Sequence, residues 1–122
     1  MQRNKIEWKI LSPEVMLLIP ENVFAYPEIM NLKYVLFARI VDEKKKLIID
    51  CSKIEYIDNT AIRVIIGLNE ILGKMQLSLG LCNMQPSVKD TVIKSGLAKI
   101  VKTYIDLQIA LKEMGEVEEV KL

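Results

Sequence analysis

The sequence contains no histidine, and it has only two cysteines, Cys51 and Cys82, among its 122 residues. Histidine is the usual general base, the usual activator of a nucleophile and the commonest zinc ligand. Neither cysteine has a second cysteine at metal-ligand spacing, and two thiols do not form a disulfide framework. The composition therefore argues against an enzyme, a metal site and a bound cofactor, and it predicts free, buried and inert thiols.

Long apolar runs and an excess of one charge are also missing. No stretch approaches the roughly 20 apolar residues of a membrane span, and residues 1–5 are not the start of an apolar signal peptide. The 17 basic and 16 acidic residues give a net charge of +1, whereas nucleic-acid binding normally shows as a clustered basic excess. We interpret the run Lys44-Lys45-Lys46 as a solvated helix end. The sequence predicts a cytoplasmic protein that neither inserts into membranes nor binds nucleic acid.

The first third of the chain shows a strand pattern followed by a helix pattern. Apolar residues alternate with polar ones from Ile6 to Ile10, and a turn at Ser12-Pro13-Glu14 leads to a buried strand over 15–19, which predicts a hairpin. Pro27 suits the first position of a helix. A helix over about 27–43 follows, because apolar residues recur there at helical spacing: Ile29, Leu32, Leu36 and Ile40.

The remaining chain repeats the alternation. The apolar run 47–51 predicts a strand covered on both faces. It is followed by a helix from Asp58 to about Gly73, a strand over 76–82, a helix from Pro86 to a glycine cap at Gly96, an edge strand at Ile100-Val101, a last helix over about 106–115, and a fraying tail over 116–122. The order β-β-α-β-α-β-α-β-α predicts an α/β fold in one domain over 1–122. We expect a mixed, mostly parallel sheet with an N-terminal hairpin and four helices.

Three segments carry a recognisable pattern. They are Leu47-Ile48-Ile49-Asp50-Cys51-Ser52 with Ile54-Glu55-Tyr56-Ile57-Asp58-Asn59-Thr60-Ala61, then Asn83-Met84-Gln85-Pro86-Ser87-Val88, then Ser95-Gly96-Leu97. In order and spacing they resemble the STAS family, named for sulfate transporters and anti-sigma-factor antagonists. The first resembles the family's strand, loop and Asp-Ser-Ser/Thr-Gly helix start. The second resembles its Val-Ser-Pro-x-Val helix entry, and the third its Gly-Leu pair before the last strand.

The resemblance implies a protein-binding regulatory module like the anti-sigma-factor antagonists. In those proteins a kinase-type anti-sigma factor docks around the segment matching 56–63 and phosphorylates the hydroxyl after the motif aspartate. The added charge of about −1.5 to −2 then abolishes docking. Here Asn59 holds that position and cannot accept a phosphate, whereas Thr60 offers a shifted phosphosite. The expected partner-binding residues are Asp58, Asn59, Thr60, Ala61 and Arg63.

Other interpretations of these residues remain open. Asp58, Asn59 and Thr60 are also residue types that cap helices without further function. Asp50 and Asp58 could form a carboxylate pair, but no third ligand or base accompanies them. The domain could instead be a STAS subunit of a larger assembly such as a membrane transport complex, or a small domain binding an anion or nucleotide at a helix start. Trp8, Tyr26 and Tyr34 are interpreted as packing residues.

Overall fold

The computed structural model describes residues 6–115, and the predicted tail at 116–122 lies outside them. Within this range the protein has seven strands and four α-helices. The strands are β1 (Ile6–Ser12), β2 (Val15–Pro20), β3 (Asn22–Phe24), β4 (Lys46–Asp50), β5 (Ile54–Ile57), β6 (Leu79–Cys82) and β7 (Lys102–Tyr104). The helices are α1 (Glu28–Glu43), α2 (Asn59–Lys74), α3 (Pro86–Lys94) and α4 (Leu107–Glu113), and a 3₁₀ turn spans Leu97–Lys99. Among the described residues, no helix is long and apolar enough to cross a membrane.

A five-stranded sheet in the order β1-β2-β4-β6-β7 lies at the centre of the fold. β1 pairs antiparallel with β2, and the other three pairings are parallel. The strands that flank α2 are parallel neighbours, with Leu47 opposite Leu79, and the predicted mixed, mostly parallel sheet is confirmed. The N-terminal hairpin is also confirmed, and its turn is tightened by the Glu14 amide, which donates to Ser12 Oγ at 3.1 Å.

Apolar layers cover both faces of this sheet. Successive side chains of a strand point to opposite faces, so Leu47 and Ile49 pack with α1, α2 and α3, whereas Ile48 packs with α4. All three are fully buried, and each such side chain stabilises the fold by about 1.5–3 kcal/mol. This two-sided burial explains the continuous apolar run in β4. The predicted apolar face of α1 is confirmed by its buried residues Ile29, Leu36 and Ile40.

Two short strands were not predicted. β3 and β5 pair in parallel as a separate two-stranded sheet, whereas the sequence analysis had assigned no strand to either segment. Strands of three or four residues are too short to establish an alternating pattern. Their pairing lays the segment that leads into α1 along the segment that leads into α2, and this arrangement builds the site described below.

Several predicted boundaries are displaced by one to three residues. β6 begins at Leu79, three residues after the start of the predicted strand over 76–82. Pro27 is the N-cap of α1 rather than its first residue. The edge strand is β7 rather than Ile100-Val101, because the Ile100 amide closes the 3₁₀ turn on the Leu97 carbonyl at 2.8 Å. α4 begins at Leu107, because the carboxylate of Asp106 caps it.

The lysine run is not simply a solvated helix end. Lys44 does end α1, in a left-handed conformation with φ of 55°. Lys46, however, is the first residue of β4, and its Nζ donates to the Met114 carbonyl at 2.7 Å. The ammonium thereby satisfies a free carbonyl at the end of α4. The glycine cap after α3 is as predicted, with Gly96 at φ of 87°.

Candidate functional site

The candidate site lies where β5 ends and α2 begins. Asp58 is the N-cap of α2, with the extended backbone typical of that position, and Asn59 is the first helical residue. The paired strand β3 ends next to it and leads through Tyr26 into α1. Two chain segments that are about thirty residues apart in sequence therefore meet at Asp58.

Both carboxylate oxygens of Asp58 accept a backbone hydrogen bond. Oδ1 accepts from the Ala61 amide at 3.0 Å and so caps α2, whereas Oδ2 accepts from the Tyr26 amide at 3.1 Å. The capping role anticipated from the sequence is confirmed, and the second bond is an addition to it. One side chain thus fixes the start of α2 and also the approach to α1.

The five expected partner-binding residues do not share one environment. Asn59 and Arg63 are exposed, and Thr60 is half-buried on the same helix. Ala61 is fully buried, so its methyl group is not on the surface that a partner would meet. Thr60 and Arg63 lie three residues apart and line the same depression beside α1.

Two exposed aromatic rings accompany this helix start. Tyr26 is 63% exposed and Tyr56 is 61% exposed, and each belongs to one of the segments that meet at Asp58. Tyr34 is 69% exposed, so the expectation that Tyr26 and Tyr34 are packing residues was wrong. Trp8 does pack against the core, and the Arg39 guanidinium lies 4.8 Å from its ring centroid. Exposed aromatic rings are enriched in protein interfaces.

Asp50 organises a neighbouring pair of loops. Its Oδ1 accepts from the Ser52 amide at 3.0 Å and from the Asn83 Nδ2 at 3.2 Å. The Gln85 side-chain amide donates to the Ser52 carbonyl at 3.0 Å, which ties the entry of α3 to the same loop. Asp50 and Asp58 therefore each hold their own backbone segments. Within residues 6–115, no group of three or more acidic or cysteine side chains is arranged to hold a metal ion.

The two thiols lie at the ends of neighbouring strands, Cys51 directly after β4 and Cys82 as the last residue of β6. Cys51 and Cys82 are both buried and free, and the Cys51 amide donates to the Cys82 carbonyl at 2.8 Å. Burial raises the pKa of the Cys51 thiol far above its ordinary value, with smaller effects from Cys82 and Asp50. Burial likewise raises the pKa of Cys82 to about 12. Both groups are therefore protonated, unreactive thiols at neutral pH.

The helix start is poorly suited to an anion. The amide of Ala61 is the kind of donor that would face a bound phosphate, but it already donates to Asp58. The carboxylate also adds a negative charge at that point. A cavity of about 650 Å³ lies instead beside β7 and α4.

The sequence matches the model of the STAS domain over residues 30–110. Because this match covers more than half of the chain, the protein belongs to the STAS family. This confirms the resemblance identified from the three sequence segments. No curated protein matches the sequence.

Several solved structures share the fold. An anti-sigma factor antagonist from Mycobacterium paratuberculosis superimposes with a TM-score of 0.82 at 20% identity, over 92% of this chain and 94% of the other. An anti-sigma-factor antagonist (STAS) domain protein from Planctomyces limnophilus gives 0.79 at 15% identity, over 90% and 97%. The murine anion transporter Slc26a9 gives 0.72 at 11% identity, over 95% of this chain but 22% of the transporter. These likenesses establish the α/β fold.

Sequence reasoning missed two features of the site. The exposed ring of Tyr56 lies in β5, a strand that was predicted as a loop, so its orientation was not predictable. The bond from the Tyr26 amide to Asp58 joins positions 32 residues apart. The only sequence signal for this hydrogen bond was the carboxylate of Asp58, and helix capping already explained the presence of a carboxylate there.

Proposed function

We propose that the protein is a non-catalytic regulatory module, a single STAS domain over residues 1–122, which binds a protein partner over the start of α2. Asn59 lies at the centre of the contact, with Thr60 beside it and Arg63 one turn further on. Membership of the STAS family and the likeness to two anti-sigma-factor antagonists support a kinase-type anti-sigma factor as the partner. We place this regulation in the cytoplasm, where Cys51 and Cys82 would stay reduced.

The pair of hydrogen bonds that the Asp58 carboxylate accepts from the Ala61 and Tyr26 amides carries this proposal. It fixes a loop that displays an exposed polar residue, Asn59, together with the exposed rings of Tyr26 and Tyr56. A preorganised surface of this kind loses little conformational entropy when a partner binds. Capping and docking are compatible, because the cap holds the backbone while the neighbouring side chains remain free.

Asn59 defines the expected regulatory state. Its neutral amide resembles an unmodified hydroxyl side chain more closely than a phosphorylated one, so the protein should remain competent to bind. Thr60 is the residue through which phosphorylation could still act. A phosphate there would bring about −1.5 to −2 charges to the docking surface.

The test is the affinity of the purified protein for a purified kinase-type anti-sigma factor from the same organism, measured by calorimetry. Asn59→Ala should weaken binding by about 0.5–1.5 kcal/mol, the net value of a lost hydrogen bond. Asn59→Asp should cost several kcal/mol, because it adds a charge beside Asp58 that must be desolvated. The helix dipole recovers only about 0.3–1 kcal/mol of that cost. Thr60→Glu should weaken binding as well.

A matched control tests whether the effect of an added negative charge depends on its position. Gln108→Glu adds one carboxylate by an equally small change on an exposed residue of α4, and it should bind as the wild-type protein does. Equal affinities for Asn59→Ala, Asn59→Asp and Thr60→Glu would mean that the loop is a helix cap and not a docking site.

A second candidate function is that of a STAS subunit in a membrane transport assembly, without phosphorylation. The superposition on part of the Slc26a9 transporter favours it. Co-purification with a transporter permease, and binding unaffected by Asn59→Asp, would support this candidate over the first.

A further inference from the structure

A groove between α1 and α2 adjoins the proposed docking surface. It encloses about 270 Å³ and is lined by Met30, Lys33, Phe37, Thr60, Arg63 and Val64. Drug-sized ligands occupy cavities of about 300–1,000 Å³, so this groove is too small for them. Its volume suits one or two side chains of a partner protein.

The floor of the groove is formed by apolar side chains, and α1 and α2 approach each other closely here. Gly67 allows this approach, since a Cβ on it would lie 3.0 Å from the Phe37 ring. Phe37 and Met30 are half-buried, and Val64 is buried. An aliphatic side chain placed here would lose its apolar surface to the groove and gain the corresponding free energy.

The walls of the groove are cationic and contain no carboxylate. Within residues 6–115, neither Lys33 nor Arg63 forms an ion pair, whereas Arg39 on the same helix as Lys33 pairs with Glu43 at 3.3 Å. Lys33 Nζ lies 5.2 Å from the ring centroid of the exposed Tyr34. Two cations that form no ion pair within the described residues therefore flank an apolar floor.

We propose that this groove receives an acidic residue of the partner protein together with an adjacent aliphatic side chain. The carboxylate pairs with Lys33 and Arg63 while the aliphatic group contacts Phe37 and Met30. This inference rests on the proposed docking at the start of α2, since Thr60 and Arg63 belong to both surfaces. Complementary charge of this kind raises the association rate and selects the partner.

The position of Thr60 adds a consequence. Its side chain lines the groove with both cations, so a phosphate on it would lie where the partner's carboxylate is expected. The phosphate would pair with Lys33 and Arg63 and exclude the acidic residue. The partner would then be released because the phosphate competes with its carboxylate for the two cations.

The experiment measures the affinity and its salt dependence for the same purified anti-sigma factor. Lys33→Met and Arg63→Met keep most of the apolar stem, and each should weaken binding about three- to tenfold at low salt. Each should also lower the dependence of the association rate on ionic strength. Lys112→Met removes an exposed lysine from α4 and should change neither quantity. Unaltered thermal unfolding of each variant shows that its fold is intact.

Charge reversal identifies the partner's residue. Arg63→Glu should weaken binding more than Arg63→Met, and a carboxylate-to-lysine change in the partner should restore it. Wild-type affinity in Lys33→Met and Arg63→Met, with binding still lost in Asn59→Asp, would overturn the groove inference and leave the docking proposal standing. A wild-type protein that does not bind the anti-sigma factor would overturn both.

Discussion

The bonds of Asp58 make a quantitative prediction about stability. Asp58→Ala removes the acceptor for the Ala61 amide, and loss of such a cap costs about 0.5–2 kcal/mol. It also removes the acceptor for the Tyr26 amide, a charge-assisted but exposed bond worth about 1 kcal/mol. The free energy of unfolding should therefore fall by about 1.5–3 kcal/mol. At a typical slope for a small protein, the urea midpoint drops by about 1–2 M.

Asp106 provides the matched control for this prediction. It caps α4 through one bond, to the Ile109 amide at 2.9 Å, so Asp106→Ala should cost about 1 kcal/mol. Asp58→Asn keeps one acceptor oxygen but turns an NH₂ group toward one of the two amides, and its cost should lie between the other two. If Asp58→Ala costs no more than Asp106→Ala, the hydrogen bond to the Tyr26 amide does not contribute, and Asp58 does not fix the approach to α1.

Three further predictions concern the thiols, the sheet and α4. The raised pKa values of Cys51 and Cys82 stabilise the fold below the unfolded value of 9.0, so the unfolding free energy should fall by about 1.4 kcal/mol per thiol between pH 8 and pH 10. Urea titrations at these pH values check this, and removing both thiols should flatten the decline; denatured protein without reductant should titrate two free thiols. Lys46→Met should cost about 1 kcal/mol and speed hydrogen exchange in α4, because the Met114 carbonyl loses its donor; an unchanged exchange rate would contradict this. Gly80→Ala should cost about 1–3 kcal/mol in a urea titration, because the new methyl would lie 2.8 Å from the Met114 sulfur; wild-type stability would show that the sulfur moves aside freely.

Elements with a long or two-sided apolar pattern were predictable from the sequence. β4 has three consecutive buried apolar residues that face both sides of the sheet, and α1 has four turns of apolar spacing, so each pattern is long enough to be recognised. β3 and β5 have only three and four residues, and each is paired with the other rather than with a strand of the central sheet. Local sequence carries little information about such a pairing.

The candidate site was predictable in its capping chemistry but not in its surroundings. Asp58 at a helix start indicates a cap whatever the tertiary structure, because the bond to the Ala61 amide is local. The groove between Lys33 and Arg63 depends instead on how α1 and α2 pack, which is set by contacts such as that of Gly67 with Phe37. Neither Lys33 nor Arg63 has a local sequence signal that would distinguish it from any other solvated cation on a helix.

The cap also explains why Asn59, rather than Asp58, is the residue to alter when docking is studied. The side chain of an N-cap residue turns back onto the first turn, so Asp58 is engaged with two amides and cannot leave them without cost. Asn59 follows at the first helical position, where its side chain is exposed. A change at Asp58 therefore mixes a folding effect of about 1.5–3 kcal/mol with any effect on binding. Within residues 6–115, the hydrogen bonds at this helix start are accepted by the Asp58 side chain and not by that of Asn59, so a loss of affinity in Asn59→Ala reports on the partner.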